Sequence, residues 1–295
     1  MQHPPFVSII IINYRTYAEL GACLNSLAQN PDEHQEVIVI DQESKVDALR
    51  EFAQRLPRFV FVPDAANRGF AAGVNRGAAL ARGKYLLILN PDCSIEPRLS
   101  ETLACWLDAH PEVGVVGPRI RNEDGTVQPS ARRFPDITTV LGGRTSFLTR
   151  ILPGNWFTKR NLLVGDQPTV PHKVDWVSGA CFMVRRDAFE AVGGMDEGFF
   201  LYWEDADLCR RLKKAGWDTV YHSGAELLHL GGRAVAYAPE RALVAFHRSA
   251  YRYVRKHGSV LERTFTPAVY VGLGARLVLK LAWHRVRLAI SSSRT

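Results

Sequence analysis

Apolar residues alternate between two spacings along the first 120 residues. Residues 7–12 (VSIIII) are β-branched apart from Ser8, which predicts a strand buried on both faces. Residues 17–29 follow with Leu20, Cys23, Leu24 and Leu27 at helical spacing. The pair of patterns then recurs. Strands are predicted at 37–40, 59–62, 85–89 and 113–117, with helices at 46–56, 70–82 and 98–109 between them. Strand–helix alternation with short connections predicts an α/β fold, a mostly parallel sheet covered by helices. Ligands of such sheets bind beyond the carboxyl ends of the strands. Polar residues gather at those ends: Asn13 with Tyr14, Asp41 with Ser44, and Asn90 with Asp92. The first strand-to-helix turn reads NYRTYAEL and has no glycine, so the G-x-G-x-x-G signature of a dinucleotide fold is missing.

The rhythm changes after Gly117. Residues 119–128 (RIRNEDGTVQ) predict a hairpin turning at Asp124-Gly125. Residues 129–173 are long, irregular and rich in Pro, Gly, Arg and aromatics, including Arg132 and Arg133. That is too apolar for a disordered linker and reads as a functional loop. Strand character returns at 174–185, a short helix at 187–192 is broken by Gly193-Gly194, and a strand is predicted at 217–222. Two helices close the chain. On the first, Arg241, Arg248, Arg252, Arg255 and Lys256 share one arc, opposite Leu243, Phe246, Ala250, Tyr253 and Val254. On the second, 269–290, Arg276, Lys280, His284 and Arg287 share a side, and Arg285 interrupts the apolar one.

Charge sharpens the picture of that tail. The net charge is +7, but residues 240–295 hold eleven Lys or Arg against two Asp or Glu, so the rest of the chain is slightly acidic. Two readings stand: helices packed on their own domain with a solvated basic stripe, or basic amphipathic helices lying on an anionic membrane surface. The longest uncharged run, 264–275, is shorter than the roughly 20 residues that span a bilayer. No nucleic-acid module accompanies the charge. The five cysteines are odd in number and form no C-x-x-C pair, which points to a reducing compartment. No charged and apolar leader precedes the first strand, so a cytoplasmic location is expected, peripheral to the membrane if the tail binds it.

Chemistry concentrates in residues 199–212 (FFLYWEDADLCRRL). Glu204, Asp205 and Asp207 open a predicted helix directly behind an aromatic run. Acids are favoured in a first turn by the helix dipole, so simple capping explains them. The alternative is a general base under a wall of rings, its pKa lowered by the helix N-terminus. Asp207 also has Arg210 and Arg211 within a helical turn, which suits an ion pair.

VSIIIINY, VIVID-x-x-S, NRGFAAGVN, Asn90-Pro91-Asp92, VSGACFMVRR, GGMDEGFFLYWEDADLCRR and HLGG occur in that order. The ordered set resembles glycosyltransferase family 2, and within it the bacterial rhamnosyltransferase-like branch. The resemblance spans about residues 7–232. It implies a GT-A type fold: a Rossmann-like nucleotide-sugar half over 1–120, an acceptor half over 121–238 and a helical tail from 239. It also implies inverting transfer from a nucleotide-diphosphate sugar with Mg²⁺ or Mn²⁺. By resemblance, Asn13, Tyr14, Asp41, Asn67, Arg68, Gly69, Asn75, Asn90, Gly179 and Trp203 contact the nucleotide sugar. Asp92 and His229 would hold the metal, Asp205 is the base and Glu204 assists it. Asn90 stands where the family usually has a second aspartate. The branch implies dTDP-L-rhamnose and a glycan or polyprenyl-diphosphate-linked acceptor; Gln42 stands where relatives often carry Asn, which leaves the base selectivity open. A uridine-linked donor, or an inert nucleotide-sugar-binding protein, are the alternatives.

Overall fold

The computed structural model describes residues 7–29, 32–43, 45–136, 170–231 and 237–292, with side chains as far as 286. Ser44, Gly232, Arg287 and most of the 129–173 loop lie outside the described residues or side chains. The first half follows the hydrophobic pattern. β1 (Val7–Asn13), β2 (Gln35–Asp41), β3 (Val60–Pro63) and β4 (Tyr85–Leu89) are parallel, in the order β3-β2-β1-β4. Helices α1 (Tyr17–Ala28), α2 (Val46–Arg55) and α3 (Phe70–Leu80) connect them. The unbroken apolar run of β1 has a direct cause. Ile9 and Ile11 join Leu20 and Leu24 of α1 on one face, while Ile10 and Ile12 join Ala71 and Val74 of α3 on the other. Helix α3 lies so close that a Cβ on Gly77 would sit 2.4 Å from Ile10 Cγ2.

The second half departs from simple alternation. After β5 (Cys93–Ile95), α4 (Leu99–Ala109) and β6 (Val113–Arg121) come the short β7 (Val127–Gln128) and β8 (Ala131–Arg132). β9 (His172–Val174), β10 (Trp176–Val177), β11 (Cys181–Arg185), α5 (Arg186–Ala191), α6 (Glu204–Lys214) and β12 (Asp218–His229) follow. The main sheet continues β4-β11-β6-β12-β5. β6 is therefore not the neighbour of β4. β11 enters antiparallel between them, pairing Cys181 with Leu89. Running the opposite way, β11 delivers residues 179–180 to the carboxyl end of β4. At the far edge the end of β12 pairs antiparallel with β5, His229 opposite Cys93.

The tail is a helical hairpin, α7 (Pro239–His257), α8 (Val260–Thr264) and α9 (Thr266–Ser292). Ala250, Val254, Val269 and Leu273 form its seam, and Arg285 pairs with Glu240 at 3.0 Å, so α9 runs back along α7. Part of the basic arc of α7 is engaged with the domain: the exposed Arg252 and the half-buried Lys256 pair with Asp196 at 2.8 and 2.6 Å. Arg241, Arg248 and Arg255 stay exposed. On α9 the side expected to face outward is reversed. Arg276 and Lys280 are half-buried beside His247 of α7, and burial, then the charge of Arg276, draws the Lys280 ammonium down to about 8. The outward face is apolar: Tyr270, Val271, Val278, Leu279, Trp283 and Val286. Long basic side chains can lay their stems along a helix seam, which a wheel cannot foresee.

Candidate active site

Two acid centres meet at residues 179–180. The Gly179 N–H donates to Asp205 Oδ2 at 2.9 Å, and the next carbonyl, Ala180 O, accepts from the Asn90 N–H at 2.9 Å and the Cys93 thiol at 3.5 Å. One tight turn before β11 thus ties the start of α6 to the Asn90-Pro91-Asp92 turn.

At the start of α6 the backbone is strained. Tyr202 and Trp203 both take left-handed conformations, φ 68° and 72°, which cost about 1–3 kcal/mol each for residues with a side chain. Ring packing offsets part of this: Trp203 lies 5.6 Å from Phe246 and 5.5 Å from Tyr253 of α7. The Trp203 indole N–H is buried without a hydrogen-bond partner among the described residues. The result is that Glu204 points inward and Asp205 toward Gly179.

The two carboxyls are not equivalent. Glu204 is 4% exposed, and its Oε2 makes no hydrogen bond among the described residues. Burial, then the charge of Asp205, pushes its pKa well above the carboxylate range, so Glu204 keeps its proton. Asp205 is half-buried and accepts from Gly179 and, through Oδ1, from the Ala206 N–H at 2.8 Å. Burial raises its pKa too, but these donors and the positive Arg132 hold it back. Of the pair, Asp205 carries the charge. The helix-dipole expectation of a lowered pKa is corrected: desolvation outweighs the helix terminus. Arg132 was legible only as one of many arginines in the 129–173 segment. Its placement comes from the β8–β10 pairing, with the guanidinium 5.0 Å from the Trp176 ring.

Asp207 stands apart from this pair. It is fully buried and binds Arg211 Nε at 2.7 Å, as its helical spacing predicted, but also Lys256 Nζ at 2.7 Å and His257 Nε2 at 2.6 Å. Burial pushes its carboxyl up, yet His257, Lys256 and Arg211 together bring it down to about 2. It ties α7 to α6.

The second centre joins Asp92 and His229. His229 Nε2 lies 3.2 Å from Asp92 Oδ1 without making a hydrogen bond, while its Nδ1 faces Gln128 Oε1 at 2.9 Å. The Cys93 sulfur falls within the same cluster, but sulfur is a soft ligand and suits a hard cation poorly. A carboxylate oxygen and an imidazole nitrogen 3.2 Å apart suit a divalent cation. Asn90 adds a half-buried amide beside them.

The remaining predicted residues divide by what they touch. Asn13 and Asp41 are fully buried and bond each other at 2.7 Å, and Tyr17 OH donates to Asp41 at 2.9 Å. A nucleoside reaches Asp41 only by sharing or displacing one of these donors. Tyr14 is half-buried with the Arg15 guanidinium 5.2 Å from its ring, and Arg15 is held by Glu43 at 2.7 Å. Arg68 is exposed and makes no ion pair among the described residues. Asn67 Oδ1 accepts from the Gly69 N–H at 2.9 Å. Gly69 makes its close approach to the chain itself: φ is 96°, a Cβ would lie 2.3 Å from Phe200 O, and the Phe70 N–H donates to that oxygen. Asn75 is committed elsewhere, its amide bonding Met195 N and O and Glu197 Oε1 at 2.8–2.9 Å.

Comparison with known proteins matches residues 8–193 to the model "Glycosyl transferase family 2" and residues 146–284 to "Glycosyl transferase family group 2". The chain is 33% identical over 261 residues, 83% of each chain, to the N-acetylglucosaminyl-diphospho-decaprenol L-rhamnosyltransferase of Mycobacterium tuberculosis. It is 26% identical to the rhamnosyltransferase WbbL of Escherichia coli, over 88% of this chain and 96% of that one. Among solved structures, the Pyrobaculum calidifontis mannosyltransferase PcManGT, in complex with GDP-Man and Mn²⁺, superposes with a TM-score of 0.59. The identity is 15%, covering 99% of this chain and 81% of that one, and the likeness is one of fold.

Proposed function

The chain belongs to glycosyl transferase family 2, and from that premise we propose that it moves L-rhamnose from dTDP-rhamnose to a polyprenyl-diphosphate-linked sugar, with inversion, in cell-surface polysaccharide synthesis. The observation that carries this is the 179–180 turn, which ties the Glu204–Asp205 pair to the Asp92–His229 pair. A base and a cation-holding pair on either side of one turn suit displacement at an anomeric carbon. The mycobacterial relative, by its name, uses a diphospho-decaprenol acceptor, which supports the acceptor class.

Asp205 accepts the proton of the acceptor hydroxyl as its oxygen bonds to the anomeric carbon and the carbon–diphosphate bond breaks on the opposite face. Glu204, protonated, keeps a second negative charge out of the site. Asp92 and His229 are the residues that would hold Mg²⁺ or Mn²⁺, whose charge offsets that of the departing diphosphate when bound. Arg68 adds an exposed cation on the nucleotide side, Tyr14 offers a ring to the base, and the Trp203 N–H offers a buried donor to a sugar hydroxyl.

The tail supplies the membrane contact in this scheme. No helix among the described residues is long and apolar enough to cross a bilayer. The outward apolar face of α9, with Tyr270 and Trp283, suits shallow insertion, and the exposed arginines of α7 suit anionic headgroups. Flotation with anionic liposomes tests it: Leu279→Asp with Val271→Asp releases the protein, and unchanged flotation removes the tail from membrane binding.

A donor panel tests the chemistry. dTDP-rhamnose, UDP-galactose, UDP-N-acetylglucosamine and GDP-mannose are each scored for thermal stabilisation and for slow release of nucleoside diphosphate. Metal-dependent response to dTDP-rhamnose is expected. Response to a uridine donor discards the rhamnose assignment, and binding without any release marks an inert binding protein.

A further inference from the structure

The hairpin at residues 119–128 ends beside the cation-holding pair, and its last residue decides how His229 presents itself. We propose that Gln128 is a positioning residue that fixes the His229 tautomer, leaving Nε2 bare toward Asp92; this rests on the metal assignment above. Gln128 Nε2 donates both its hydrogens, to Asn122 Oδ1 at 2.6 Å and to the His229 backbone carbonyl at 2.9 Å. A backbone carbonyl only accepts, so the amide nitrogen must lie on that side, and Oε1 must face the imidazole. Oε1 also only accepts. The ring nitrogen 2.9 Å from it, Nδ1, therefore carries the proton. In a neutral imidazole the other nitrogen then holds a lone pair. That nitrogen, Nε2, is buried, makes no hydrogen bond among the described residues and lies 3.2 Å from Asp92 Oδ1.

Two electron-pair donors at this distance repel unless a cation lies between them. Ligating histidines are characteristically oriented by a hydrogen bond from the ring nitrogen that does not ligate. Here the orienting chain starts in the hairpin turn. Asn122 Nδ2 donates to Thr126 Oγ1 at 2.8 Å, which turns Asn122 Oδ1 toward Gln128, and the Thr126 N–H is held by Asp124 Oδ1 at 2.9 Å. The Asp124-Gly125 turn, with Gly125 at φ 79°, closes the strand that carries Gln128. Side chains from one tight turn thus set the direction of a lone pair.

Long-range ¹⁵N–¹H spectra of the histidine rings in metal-free full-length protein test this, with Mn²⁺ titration by calorimetry alongside. In wild type His229 shows the Nδ1–H form, and in Gln128→Leu it shifts toward Nε2–H while Mn²⁺ affinity falls about 10- to 100-fold. A milder Asn122→Ala, which frees the Gln128 amide without touching the ring, shifts both readouts in the same direction by less. An Nε2–H tautomer in the metal-free wild type overturns the proposal, as does unchanged Mn²⁺ affinity in Gln128→Leu. The metal assignment is tested separately: if His229→Ala leaves wild-type Mn²⁺ affinity, the cation sits elsewhere and the proposal falls with it.

Discussion

Replacing Asp205 by Asn separates the roles of the two paired acids. Both Asp205 oxygens accept a backbone N–H, from Gly179 at 2.9 Å and Ala206 at 2.8 Å. Asn keeps one acceptor and turns an NH₂ group against the other N–H, so about 1–3 kcal/mol of stability is lost. The catalytic loss is larger. A positioned base contributes about 10²- to 10⁴-fold, or about 3–5 kcal/mol of barrier, and the amide supplies none of it. The contrast lies in Glu204→Gln. Glu204 is held protonated by burial and by the charge of Asp205, so Gln is close to an isostere of the form already present. Its turnover stays within about tenfold of wild type, about 1.4 kcal/mol. Its stability at neutral pH is equal or higher, because a raised folded-state pKa destabilises the fold as pH rises above the unfolded value. The assay is steady-state release of nucleoside diphosphate with acceptor, alongside calorimetric donor affinity and thermal melts. Asp205→Asn should keep donor affinity while losing turnover. Near-wild-type turnover in Asp205→Asn, or a loss in Glu204→Gln as deep as in Asp205→Asn, refutes the assignment.

Turnover falls as pH drops through the Asp205 pKa, which burial raises above the usual aspartate value, and Glu204→Gln leaves that limb in place; a limb within the ordinary aspartate range contradicts this. Asp207, held at about 2, contributes about 2 kcal/mol at neutral pH that is lost as pH falls from about 4 toward 2. Asp207→Asn takes the carboxylate away from buried His257 and from Arg211 and leaves Lys256 with Asp196 alone; it costs about 3 kcal/mol by denaturant titration, with faster proteolysis of α7, and an unchanged midpoint contradicts it. Gly69→Ala puts a Cβ 2.3 Å from Phe200 O at a positive φ, so it costs more than about 1 kcal/mol and weakens donor binding. Wild-type melting and affinity in that variant would exclude the tight contact.

The parallel half of the sheet was legible because β1, β2 and β4 are buried on both faces and carry unbroken apolar runs. The insertion of β11 was not, since hydrophobic period says nothing about which strand becomes whose neighbour. β5 has three residues, too few to show any period. Glu204, Asp205, Asp92 and His229 stood out as residue types in sequence, but their difference in protonation depends on burial and on Gly179, 26 residues away from Asp205. The partners of Asp207 lie 49 and 50 residues on, and one of them, Lys256, is drawn from the basic arc of α7. Gln128 carried no signal at all: a glutamine closing a hairpin gains its task only when β12 brings His229 alongside.

The most direct measurement follows the sugar itself. Purified protein is given dTDP-β-L-rhamnose, Mg²⁺ or Mn²⁺, and a short-chain N-acetylglucosaminyl-diphosphoprenol, and the product is examined by mass spectrometry and NMR. The expected result is one rhamnose added per dTDP released, α-linked, dependent on the cation and lost in Asp205→Asn. A β-linked product, transfer only from a uridine or guanosine donor, or dTDP release with no sugar on the acceptor would contradict it.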